Sequence, residues 1–358
     1  MTERYERELQ TAIDAADLAA RVCRSVQATV TEDVLEKDDR SPVTVADFAS
    51  QAIVCRRLAE TFPHDPIIAE EDAASLRAPE NVPFLDRIQH ELKRVGLDAD
   101  AATICAWIDR GNAGDSSGRF WTLDPIDGTK GFLRGDQYAI AIALIVEGRV
   151  EVAALGCPNL GRPAYDSEPA GVVLWAVRGQ GSWTLEMRDE REERREMRDE
   201  GVETATETAT VQDLSSLISP HSSLLRVSPI GDPAGARFCE PFESGHSSHA
   251  RSARVADQLG IRREPLRLDS QAKYGIVARG EAEIYLRLPT KSGYVENLWD
   301  HAAGTLIVEE AGGRVSDVTG RPLEFHHGPK LVANHGLVVT NGLLHDRVLE
   351  SLQTNGLS

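Results

Sequence analysis

The stretch WTLDPIDGTKGF, residues 121–132, sets the tightest condition on how this chain can fold. An apolar run, Phe120, Trp121 and Leu123, reads as the end of a strand, and Asp124 and Asp127 follow at once on a tight turn. Aspartate and glycine are ordinary turn residues, so D-x-x-D-G alone says little. Three features add to it. The acids stand at the carboxyl end of a strand, where sheets covered by helices gather ligands. Pro125 fixes one backbone angle, so the carboxylates are held rather than floppy. Gly128, Thr129 and Lys130 can open a helix whose first N–H groups favour a phosphate. Acids alone repel phosphate, whereas acids holding hard divalent cations attract it.

Charge narrows the partners. The 358 residues carry a formal net charge of −18. Such a surface repels DNA and RNA polymers. It also repels a small anionic substrate, which needs a local basic pocket or metal ions. The length exceeds most single cores, so two packed domains are expected. The five cysteines, at 23, 55, 105, 157 and 239, form no C-x-x-C pair. They read as free thiols in a reducing compartment, the cytoplasm, rather than as a disulfide framework or a zinc ribbon. MTERYERELQTAIDAADLAARVCRSV is charged from its third residue, and no stretch approaches the apolar length of a span. Neither signal peptide nor membrane contact is expected, and a monomer is.

The pattern along the chain mixes helices and strands. Residues 3–30 place Leu9, Ile13, Ala16, Leu18, Ala19 and Val22 at helical spacing. SPVTVADFASQAIVCRRLAETFP reads as a short extended piece entering a helix that stops at Pro63. PIIAEED is a brief strand ending in acids, and QYAIAIALIVEGRVEVAALGCP is two strands around Glu147-Gly148. GVVLWAVRGQGSWTL is a hairpin turning at Gly179–Gly181. EMRDEREERREMRDE (186–200) has 13 charged residues in 15, with no core to bury. Residues 186–225 therefore read as a solvated insertion without fixed structure, lengthening a hairpin loop. Beyond RVSPI, helix and strand alternate: HSSHARSARVADQLG (helix), EPLRLDS (strand), AKYGIVARG (helix), AEIYLRL (strand), WDHAAGTLIVEEAGG (helix) and GRVSDV (strand). The expected division is 1–232, an α+β unit carrying the acids, and 233–358, an α/β unit.

Other acids join the first two as candidates. Glu70 and Glu71 follow PIIA, Asp47 follows SPVTVA, and Asp300 lies in NLWDHAAG. Singly, each has an ordinary explanation: solvated carboxylates before a turn, or a helix N-cap. The haloacid dehalogenase class uses D-x-D-G-T with the first aspartate as nucleophile. Here D-P-I-D-G-T is one residue longer. That suits two carboxylates converging on metals, with the Ile126 carbonyl between them, better than a nucleophile and its acid.

Together SPVTVADFASQ, AEED, WTLDPIDGTKGFLRG and NLWDHAAGTLIVEEAGG resemble the lithium-sensitive, magnesium-dependent phosphomonoesterases of the inositol monophosphatase superfamily. GHSSH (245–249) and LDSQAKYGIVARGEAEIYLRLP (268–289) resemble its 3'(2'),5'-bisphosphate nucleotidase branch. The resemblance runs from residue 5 to about residue 340 and leaves out the insertion. It implies a two-domain, layered αβαβα sandwich like that of inositol monophosphatase and fructose bisphosphatase. It implies that Glu70, Asp124 and the Ile126 carbonyl hold an activating Mg2+, and that Asp124, Asp127 and Asp300 hold a second. Asp47 paired with Thr129 would orient the attacking water, and Gly128 and Thr129 would offer N–H groups to the phosphate. His246, Ser270, Lys273 and Arg287 match nucleotide-contacting positions of the second unit. The implied reaction removes the 3'-phosphate of adenosine 3',5'-bisphosphate, and inositol phosphates are the competing substrates. Ala69 departs from the glycine usual before the paired acids, and its methyl group is expected to narrow that loop.

Overall fold

The structure, a computed structural model, describes residues 4–29, 34–36, 42–114, 116–161, 171–187, 222–242, 248–288, 290 and 293–357. Helix α1 (Glu6–Gln27) buries Leu9, Ile13, Ala16, Ala19, Ala20 and Cys23 along one face. The alanines of that face let it lie close against the next helix. Strands β1 (Val34–Glu36) and β2 (Pro42–Thr44) form a small antiparallel pair that feeds α2 (Val45–Thr61). Helix α2 opens with a capping box between Thr44 and Asp47 and ends at Phe62, one residue before Pro63.

Strand β3 (Ile67–Ala69) is followed by α3 (Val82–Arg94) and α4 (Ala101–Asp109). Neither helix is among the expected elements, although Phe84, Leu85, Ile88 and Leu92 are helically spaced and buried. Next come β4 (Arg119–Asp127), the short α5 (Thr129–Leu133), β5 (Ala139–Val146) and β6 (Arg149–Cys157). The turn between β5 and β6 has positive φ at Glu147 (50°) and Gly148 (74°), as a two-residue hairpin requires. Strands β7 (Val172–Val177), β8 (Ser182–Glu186) and β9 (Ser222–Leu224) complete a sheet ordered β3-β4-β5-β6-β7-β8-β9. Only its β3–β4 pair is parallel.

The flanks of the charged segment are thus adjacent strands, with Leu185 opposite Ser222. Regular pairing returns at Ser222, earlier than RVSPI. The expected lack of structure falls on residues 188–221, which lie outside the described residues.

The last third supplies β10 (Phe238–Glu240), α6 (His249–Leu259), β11 (Leu266–Arg267), α7 (Ala272–Ala278), β12 (Ile284–Arg287), α8 (Ala302–Glu310), β13 (Arg314–Ser316), β14 (Leu337–Thr340) and α9 (His345–Thr354). The strands form a second sheet, ordered β11-β10-β12-β14-β13. The expected strand at EPLRLDS is only two residues long, and β14 and α9 lie beyond the last expected element.

Three apolar clusters define the layers. One joins α1 and α2 to one face of the large sheet. The second packs α7 and α8 between the large sheet's other face and the small sheet. The third packs α6 and α9 on the small sheet's outer face. The result is an αβαβα sandwich. Because both faces of the large sheet are covered, β5 and β6 are almost continuously apolar.

Candidate active site

Along a regular strand, residues three apart point to opposite faces. In β4, Asp124 lies opposite Ala141 while Asp127 lies opposite Ala139, so β4 spends three residues where β5 spends two. The extra residue is a bulge, and it brings both aspartates to the same face. Pro125, with no N–H to give a ladder, sits inside it. Strand β3 runs parallel to β4 with Ala69 opposite Leu123, so Glu70 emerges beside Asp124. Glu70 also raises the proton affinity of Asp127. The next residue, Glu71, is buried, with its N–H donating to Gln51 Oε1 at 3.0 Å and its carbonyl accepting from Gln51 Nε2. The Ala69 methyl group has a place of its own. Gly111 lies against it, and a Cβ built on Gly111 would stand 2.6 Å from the Ala69 Cβ.

Asp47 is buried at the third position of α2 rather than at its N-cap, which is Thr44. Its Oδ2 accepts from the Thr44 N–H at 2.8 Å and from the Thr44 hydroxyl at 2.6 Å. Its Oδ1 lies 3.4 Å from Thr129 Oγ1, which is also 3.3 Å from the Ile126 carbonyl oxygen. Gly128 precedes α5 with φ 89°, and a side chain there would press on Ser270, with Cβ at 3.0 Å from the Ser270 Cβ.

Residues of the last third lie against these groups. The Gln271 N–H donates to Asp127 Oδ2. Ser270 has φ 69°, and its hydroxyl accepts from the Ala272 N–H at 3.1 Å. Lys273 is buried, and its ammonium donates to the Ser270 carbonyl at 2.7 Å while lying 5.3 Å from the Tyr285 ring. Arg287 meets Glu296 at 2.8 Å and Asp300 at 3.3 Å. His301 bridges Glu296 (3.2 Å) and the Tyr274 hydroxyl (2.8 Å). His301, not Asp300, occupies the N-cap of α8. His246 lies outside the described residues.

The electrostatics test whether a metal fits. Burial pushes the Asp300 carboxyl up to about 7; Arg287 and His301 oppose the shift and Asp127 adds to it. Burial likewise raises Asp127, against the pull of Lys273 and Arg287. Burial lowers the Lys273 ammonium, and Asp127 opposes that change. Buried carboxylates that repel one another are stabilised as anions by a cation between them. The groups expected to hold the ion offer only oxygen: four carboxylates and the Ile126 carbonyl. Such a set suits Mg2+ rather than a metal that seeks thiolate or imidazole. The residues therefore fit the ion.

Gln51, Gln271, Glu296 and His301 brace the candidate site, and no sequence motif above marks them. Each is a buried polar residue in or beside an apolar run, which was the available signal.

A five-layer sandwich that sets Glu70, Asp124 and Asp127 at the ends of the parallel strands β3 and β4 suits a class of phosphate-handling proteins that work with hard dications. Comparison places the chain within that class: the inositol monophosphatase family profile matches residues 1–357, and the chain belongs to this family. The 3'(2'),5'-bisphosphate nucleotidase of Schizosaccharomyces pombe is 39% identical, over 97% of this chain and 95% of its own. The 3'(2'),5'-bisphosphate nucleotidase 1 of Arabidopsis thaliana is also 39% identical, over 98% and 96%. Among solved structures, Thermotoga maritima IMPase shares the fold at a TM-score of 0.62 and 18% identity, covering 98% of this chain and all of its own. Mycobacterium tuberculosis SuhB does so at 0.58 and 22%, over the whole of both chains.

Proposed function

We propose that the chain is a Mg2+-dependent 3'(2'),5'-bisphosphate nucleotidase. It removes the 3'-phosphate of adenosine 3',5'-bisphosphate to give AMP and phosphate, and acts as well on the sulfated relative, 3'-phosphoadenylyl sulfate. The observation that carries this reading is the bulge in β4, which aims Asp124 and Asp127 to one side, next to Glu70. The near full-length likeness to proteins named for this activity supports the substrate class.

Glu70, Asp124 and the Ile126 carbonyl would hold one ion, and Asp124, Asp127 and Asp300 another. Bound there, dications would supply an acidified water and positive charge at the departing ester oxygen. The protein does the rest by position and charge, without a phosphoenzyme. Asp47, its Oδ2 fixed by Thr44, keeps Oδ1 toward Thr129, so the Thr129 hydroxyl turns its lone pairs to the attacking water. The N–H groups of Gly128 and Thr129 bind the phosphate being removed. Arg287, Lys273, Ser270 and His246 serve the nucleotide and offset the −18 surface. The enzyme acts as a monomer in the cytoplasm, a reducing compartment in which its five buried thiols stay free.

Phosphate release from adenosine 3',5'-bisphosphate, its sulfated relative and inositol 1,4-bisphosphate, with Mg2+ and with or without Li+, tests the reading. Fast, Li+-sensitive release from the adenosine compounds is expected. Preference for the inositol compound, or turnover unchanged by removing Mg2+, overturns it.

A further inference from the structure

We propose that Gln271 is the positioning residue that fixes Asp127 and Asp300 relative to one another and thereby sets the affinity of the carboxylate cage for Mg2+. The inference rests on the reading that these carboxylates hold dications.

Gln271 is only 1% exposed, and an amide so buried is costly unless both its ends are bonded. Its backbone N–H donates to Asp127 Oδ2. Its side-chain Nε2 donates to the Trp299 carbonyl at 2.9 Å, and its Oε1 accepts from the Gly304 N–H at 3.2 Å. One residue therefore holds the β4 acid by its main chain and both sides of Asp300 by its side chain.

The geometry around it is specific. Ser270, with φ 69°, turns the chain just before Gln271. Gly304 is the third residue of α8, where a helix N–H has no partner within its own helix. His301, at the N-cap of α8, makes no side-chain cap bond. Gln271 supplies that cap from a different segment. It reaches because α7 and α8 nearly touch: a Cβ on Gly304 would lie 2.3 Å from the Tyr274 ring. Mg2+ demands near-ideal octahedral geometry, so a carboxylate displaced by a fraction of an ångström binds it less well. Loosening residues 299–304 moves Asp300 while Asp127 stays tied to the main chain of residue 271.

The test is calorimetric titration of Mg2+ into wild type, Gln271→Met and Gln271→Asn without substrate, with turnover measured across a Mg2+ series. Methionine keeps the volume and loses both side-chain bonds, and asparagine keeps the amide but falls one methylene short. Loss of two modest hydrogen bonds is expected to weaken Mg2+ binding about tenfold. Excess Mg2+ is expected to restore turnover, which a merely damaged fold would not allow. If the methionine variant does not fold, the asparagine variant carries the comparison. Wild-type binding matched by equal affinity in a folded variant overturns the inference, as does lost turnover that excess Mg2+ leaves unrestored. Absence of Mg2+ binding in wild type removes the dication reading itself, and this inference with it.

Discussion

Replacing Asp47 by asparagine probes the water-orienting pair with almost no change of shape. The Thr44 N–H can only donate, and it lies 2.8 Å from Asp47 Oδ2. In Asp47→Asn the amide oxygen must therefore stay on Thr44, and the NH2 group must face Thr129 Oγ1, which stands 3.4 Å from Oδ1. Bond polarity then reverses. Thr129 can no longer donate toward residue 47; it accepts from the amide, and its own proton turns to the Ile126 carbonyl at 3.3 Å or to the attacking water. The water loses the route by which its proton passes through Thr129 to a carboxylate. Positioned general-base catalysis contributes about 10²–10⁴-fold, and turnover should fall by that factor. The capping bond from the Thr44 N–H survives, so stability should move by less than about 1 kcal/mol. KM for adenosine 3',5'-bisphosphate should change little. Phosphate release under saturating Mg2+ and substrate gives kcat, and thermal denaturation gives the stability. Thr129→Val should lose a comparable factor and Thr129→Ser much less. Turnover of Asp47→Asn within tenfold of wild type, in a folded protein, removes the pair from the mechanism.

Gly128→Ala meets both a positive φ of 89° and a Cβ 3.0 Å from the Ser270 Cβ. A loss of about 1–3 kcal/mol in stability is expected from chemical denaturation, with a larger fractional loss of turnover than of folded protein. His345 is buried between Ser316 Oγ (2.9 Å) and Thr340 Oγ1 (3.0 Å), and burial lowers its pKa from 6.5 to about 4, with Arg314 adding to the shift. The unfolded chain then binds the proton first as pH falls. Stability is full above 6.5 and declines by about 3 kcal/mol toward pH 4. Denaturation across that window should show the slope in wild type and a flatter one in His345→Gln; equal slopes would count against it. Replacing residues 188–221 by a short glycine-serine linker should leave turnover within a few-fold. The edge pair β8–β9 is at least four strands from β4, about 19 Å at the usual strand spacing. Abolished activity in the folded deletion would give that segment a part in catalysis.

Much of the architecture is local information. The stripe from Leu9 to Cys23 makes α1 a helix whatever surrounds it, and Thr44 with Asp47 starts α2 by a bond spanning three residues. The long apolar runs of β5 and β6, reversing at Glu147-Gly148, imply a sheet buried on both faces. D-P-I-D-G-T, read with the other quoted stretches, pointed to paired carboxylates beside a phosphate-binding turn. Where patterns were short or interrupted, as at Leu266–Arg267, the strand could be seen but not its length.

What the linear order left open is which way the acids face. Aspartates at i and i+3 on a strand diverge unless a bulge intervenes, and the bulge exists only as a mismatch with the neighbouring strand at Ala139 and Ala141. Arg287 and the Gln271 amide hold the loop that carries Asp300, and a main-chain N–H 144 residues away holds Asp127. Side-chain type and spacing are properties of the chain, and they state which chemistry is available. Convergence of groups far apart in sequence depends on register and packing between layers, and no periodicity encodes those.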